Sequence, residues 1–139
     1  MTHWKALLIL SIGLSLQGCS TVYRQAGLEK VSRSEVAVIE VASCGDECPI
    51  IQEIDGAWRG MGSFKEYEVK PGTRTVKFIY VKGGLSGTRG LIVSFDAKQG
   101  EVYGVRANAD HSLKKWRPEI IDKATGGVVS SFVGTGFAY

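Results

Sequence analysis

Between Glu35 and Val133 the chain is interrupted every eight to twelve residues by a strong turn signal, and no stretch between interruptions carries a convincing helical stripe. The interruptions are Cys44-Gly-Asp-Glu-Cys48-Pro49, Asp55-Gly56, Gly60-Met61-Gly62, Pro71-Gly72, Gly83 to Gly87, Gln99-Gly100, Asn108 to Ser112 and Thr125-Gly126-Gly127. Pro71 presets φ and Gly72 accepts a positive one, while Asp55-Gly56 between apolar runs is a hairpin signal. Glu35 to Ala42, Ile50 to Ile54, Phe64 to Lys70, Thr73 to Lys82, Leu91 to Lys98, Tyr103 to Ala109, Trp116 to Asp122 and Val128 to Val133 therefore read as strands, with Trp58 opening a return segment. Val76, Phe78 and Tyr80 share one face of the best central-strand candidate, and Leu91, Val93, Phe95 and Ala97 repeat with a clean period of two. Pro118 places its strand at an edge or a strand start. The expectation is an all-β fold: a compact antiparallel β-sandwich of seven to eight short strands.

Ahead of this region, a basic start (His3, Lys5) leads into the apolar run Ala6 to Leu16 and then Gln17-Gly18-Cys19. The run is about eleven residues long, whereas a helix needs about twenty to cross the hydrocarbon core, so it matches a signal segment. Leu16, Gly18 and Cys19 resemble a bacterial lipoprotein lipobox. The resemblance implies cleavage between Gly18 and Cys19, removal of residues 1–18, and a covalent lipid on Cys19 as membrane anchor. Ser20 after the cysteine, in that family's sorting logic, implies the outer membrane facing the periplasm. Residues 19–34 then read as a flexible linker with one short turn around Leu28–Val31, and 35–139 as the sandwich domain.

Removing 1–18 takes away one base and no acid, leaving a balance of about +2 from the formal +3. The charges are scattered, so nothing points to nucleic acid. An exported chain meets an oxidising compartment, which makes Cys44 and Cys48 a candidate local disulfide. Cys44-X-X-X-Cys48-Pro49 also resembles the copper-binding motif of Sco-type chaperones, which implies as the alternative a periplasmic copper-binding or thiol-redox protein; copper would need His111, the one histidine left after cleavage, as third ligand. Those proteins carry the motif at a strand-to-helix turn, and here a strand pattern follows. No nucleophile elbow or framed carboxylate pair is present, so an enzyme is not expected, nor a small-molecule substrate or any cofactor beyond the lipid. Trp58 and Trp116 both flank turns, as core-edge residues or as an exposed patch for a partner.

Three patches resemble PEGA-type envelope modules: Ile54-Asp-Gly56, Val69-Lys-Pro-Gly-Thr-Arg-Thr-Val76, and Phe95 to Tyr103 running on to Trp116 to Gly126. These are turn motifs spread over residues 36–130. The resemblance implies a surface β-domain that acts as a structural or protein-binding module toward envelope proteins, and it carries over no catalytic residue.

Overall fold

A computed structural model describes residues 21–42, 47–82, 85–86, 90–110, 112 and 115–134. They form two sheets packed face to face. The first holds β1 (Val22–Arg24), β5 (Glu66–Val69), β2 (Ala37–Glu40), β9 (Val102–Asp110) and β10 (Lys115–Asp122), in that spatial order. The second holds β11 (Ser130–Val133), β8 (Leu91–Ala97), β6 (Gly72–Lys82), β3 (Glu47–Ile54) and β4 (Ala57–Trp58), with β7 (Leu85–Ser86) paired to β6. The all-β sandwich expected from the punctuation is the fold. β1, β4 and β7, of two or three residues each, are additions to the expected strands.

The pairing is mixed: β1 lies parallel to β5 and β2 parallel to β9, while the other pairs are antiparallel. Turn signals mark hairpins, which join antiparallel neighbours, and leave no local trace of a parallel pair made by distant segments.

The core lies where the inner faces meet. Val76, Phe78 and Tyr80 of β6 and Leu91, Val93, Phe95 and Ala97 of β8 are buried against Ile39, Tyr67, Val69, Tyr103, Trp116 and Ile120 of the other sheet. In β3, Ile51 and Ile54 are three residues apart and both buried, which strict alternation forbids. A bulge between Ile51 and Glu53 absorbs Gln52 and turns both isoleucines inward. The Asp55-Gly56 turn joins β3 to β4 with positive φ at both residues, 51° and 76°, the geometry a two-residue hairpin demands. Pro118 sits in β10, the last strand of its sheet.

Residues 21–34 correct the linker reading. β1 adds to the edge of β5, and Leu28 buries with Val36 and Val38 on the outer face of the first sheet, with Val31 and Val102 packed alongside. Covering that face explains why Ala37, Val38 and Ile39 are consecutively buried rather than alternating. The turn expected near Leu28–Val31 is present, closed by Val31 N–H donating to Leu28 O at 3.1 Å. Ser32 and Glu35 then form a reciprocal cap on the single 3-10 turn Arg33–Glu35.

Candidate functional site

The two sheets are closed at opposite sides by different means. On one side β10 turns through Thr125-Gly126-Gly127 into β11, crossing from the first sheet to the second. Asp122 N–H donates to Gly127 O at 2.9 Å, Val129 N–H to Ile120 O at 2.9 Å, and Ile120 N–H to Ser130 Oγ at 2.9 Å. On the other side, Tyr23 of β1, Phe64 of the β4–β5 connection and Tyr67 of β5 form a cluster with ring centroids 5.5–5.9 Å apart. Burial raises the phenol pKa of both tyrosines; Asp55 adds to the rise at Tyr23, while at Tyr67 Arg59 opposes it. Gln25 ties the same side at its upper end, donating Nε2 to Asp55 Oδ2 at 2.7 Å and accepting Lys70 N–H at 2.8 Å.

Between these sides the first sheet has a step. β2 pairs with β9 over Val102 to Gly104, whereas β9 runs on to Asp110 with β10 as its strand partner. The direction of the backbone groups follows from the register. Lys123 N–H donates to Val102 O, so even-numbered residues of β9 face β10; Val38 N–H donates to Glu101 O, so odd-numbered residues face the β2 side. Past Gly104, the last residue of β9 opposite β2, the amides and carbonyls of Ala107 and Ala109 therefore point to an edge with no strand on it among the described residues. Pro118 agrees with this parity. It stands opposite Ala107, where no ladder bond is made, and its missing N–H costs nothing.

A cavity of about 470 Å³ opens at the step, lined by Glu40, Val41, Lys65, Glu66, Val105 and Lys123 among others. Glu40 is ion-paired with Lys123, and Glu66 accepts from Arg33 at 2.6 Å, so the polar walls are held in place by their own charges. A second cavity of about 320 Å³ shares Val41, Ala42 and Lys65 and runs under the Gly60 to Phe64 connection to Cys48, Pro49 and Ile50. Open backbone groups beside a walled recess can take an extended peptide: main-chain bonds hold it and the recess selects a side chain. Neither cavity brings together a nucleophile and a base, and among the described residues no three His, Cys, Asp or Glu side chains could hold a metal ion.

Of the residues singled out from the sequence, the structure describes Cys48, Trp58 and Trp116. Gly18, Cys19, Cys44 and His111 lie outside the described residues. Cys48, expected in a turn, is in β3 opposite Val81, and its sulfur is disulfide-bonded. β3 is a strand, so no helix begins after Cys48-Pro49 as the Sco-type motif requires. Trp116 corrects the exposed-patch reading: it is 1 % exposed and stacks on Tyr80 with centroids 5.0 Å apart, because alternation in β10 turns it inward. Its Nε1–H has no acceptor among the described residues. Trp58 is 64 % exposed on β4, and Met61 nearby is 88 % exposed. The β9 edge was missed because it results from β2 stopping short, and each strand by itself looks ordinary.

No family model, curated protein or solved structure matches this chain.

Proposed function

We propose that the protein is a lipid-anchored lipoprotein of the envelope, held at the periplasmic face of the outer membrane through Cys19, with a non-catalytic sandwich serving as a structural or protein-binding module. The lipobox residues Leu16, Gly18 and Cys19 and the PEGA-like turn motifs support the address and the module class. The observation that carries the binding role is the edge at Ala107 and Ala109, which has no strand on it among the described residues, beside the 470 Å³ recess. Sandwich proteins avoid leaving such edges unguarded unless something pairs with them. The partner is an extended segment of another envelope protein, added as a strand on β9.

Ala107→Pro tests this. The substitution deletes an N–H aimed at the open edge and none from the β9–β10 ladder. A photocrosslinker at the exposed Asn108 should capture an envelope protein in the parent chain and lose it in Ala107→Pro, while the circular dichroism spectrum is unchanged. Undiminished capture in Ala107→Pro would remove the edge from the proposal.

A further inference from the structure

The anchor and the folded domain are separated by almost no chain. Thr21 O accepts the N–H groups of Lys65 at 2.8 Å and Glu66 at 3.4 Å, so the ladder of β1 on β5 already holds Thr21. One residue, Ser20, lies between Thr21 and Cys19. Two Cα–Cα steps span at most about 7.6 Å, so a lipidated Cys19 keeps its Cα within about two strand spacings of Thr21 and the β1 edge. A domain tied so closely cannot stand off the bilayer, and must turn the β1 side toward it.

That side has the surface chemistry of a membrane interface. β1 ends the first sheet and β4 ends the second, and the two edges adjoin: Gln25 bonds to Asp55 in the turn before β4, and Tyr23 packs on Phe64 in the connection after it. This edge carries Trp58 and Met61, among the most exposed large apolar side chains described. Arg59 lies between them in sequence, its guanidinium 5.4 Å from the centroid of Phe64, and exposed Lys65 follows. Neither cation has a carboxylate partner among the described residues. The neighbouring acids are committed already: Asp55 to Arg74 at 2.7 Å, Glu53 to Lys77 at 3.0 Å, Glu66 to Arg33 and Glu68 to Arg24. Exposed Trp and Met beside Arg59, which donates to Gly62 O and has no carboxylate partner among the described residues, suit a layer of lipid headgroups, where indole favours the boundary and cations meet phosphate.

We infer that the sandwich lies on the bilayer by its β1–β4 edge, with Trp58 and Met61 entering the headgroup layer and Arg59 against lipid phosphate. The inference rests on lipidation of Cys19. Three strand spacings separate β1 from β9, so the open β9 edge stands back from the bilayer by about 14 Å, room for a partner strand running along the membrane.

The test uses the full-chain lipoprotein purified from membranes and reconstituted into vesicles of phosphatidylethanolamine and phosphatidylglycerol containing lipids brominated near the headgroup. After cleavage Trp58 and Trp116 are the tryptophans left, and buried Trp116 is an internal reference. The expected result is quenching of the wild type by bromolipid, loss of that quenching in Trp58→Phe, and weak quenching of Trp58 by aqueous acrylamide. Trp58→Phe should still float with the vesicles. Vesicle-bound, lipidated protein whose Trp58 is quenched by acrylamide and not by bromolipid overturns the inference and leaves the anchor standing. Shielding from both quenchers assigns the edge to a second copy and equally overturns it. A protein with no lipid mass on Cys19 and no flotation removes the anchor, and the inference with it.

Discussion

Arg24 stands directly opposite Glu68 in the parallel register of β1 on β5, and its guanidinium Nε donates to Glu68 Oε2. Glu68 is 4 % exposed, the buried charge among the described residues, and Arg33 approaches its other oxygen at 3.5 Å. Arg24 also donates to Leu28 O at 2.8 Å and Val31 O at 3.1 Å. One side chain thus pairs a buried carboxylate and organises the segment that covers Val36 and Val38.

Removing Arg24 should therefore loosen the segment 21–34 before the rest of the sandwich. Arg24→Ala leaves a buried carboxylate short of its main partner, a loss of about 1–3 kcal/mol after allowing for the part of Arg24 that solvent reaches. Urea unfolding should show the loss, and hydrogen exchange should show Lys65 and Glu66 amides opening first, because their acceptor is Thr21 O. Unchanged exchange at these amides would mean that β1 holds without the ion pair.

The two tryptophans should separate stability from surface. Trp116→Ala removes a buried ring stacked on Tyr80 and should cost about 3–5 kcal/mol. Trp58→Ala, at an exposed edge, should stay within about 0.5 kcal/mol of the parent. Equal losses in thermal or urea unfolding would contradict the burial difference.

Alkaline stability should depend on Tyr67. Burial raises its folded-state pKa above the usual phenol value of about 10, with Tyr23 adding to the rise and Arg59 opposing it. The neutral phenol is the form the fold favours, so its contribution is complete below pH about 10 and disappears as pH climbs through the folded pKa. Tyr67→Phe should flatten the fall in stability on the alkaline side and leave the curve at neutral pH similar in shape. Tyrosinate absorbance during unfolding is the check.

Cys48 has a disulfide partner, and Cys44 is the nearest cysteine in sequence. Mass mapping of protein purified without reductant should return a Cys44–Cys48 peptide and no alkylated thiol at either position. Opening so small a loop should cost about 2 kcal/mol. A free thiol at Cys44 would reject the pairing.

The strand pattern was legible because each signal is local. Asp55-Gly56 and Pro71-Gly72 specify backbone angles on their own, and Leu91, Val93, Phe95 and Ala97 mark an inner face by period alone. Glu68 and Leu28 were illegible for the opposite reason. A glutamate between Tyr67 and Val69 reads as solvent-facing until Arg24 and Arg33, more than thirty residues earlier, close over it.

By itself, the order of residues determined that this chain makes short strands joined by tight turns and which of their faces are apolar. Tertiary structure decided which strands lie parallel, that residues 21–34 cover a sheet instead of tethering it, that Trp116 is core while Trp58 is surface, and that β9 runs past β2 with no strand on that edge among the described residues. The physical reason is range. Turn geometry and side-chain period act within a few residues, whereas burial, ion pairing and free strand edges depend on segments that meet after folding.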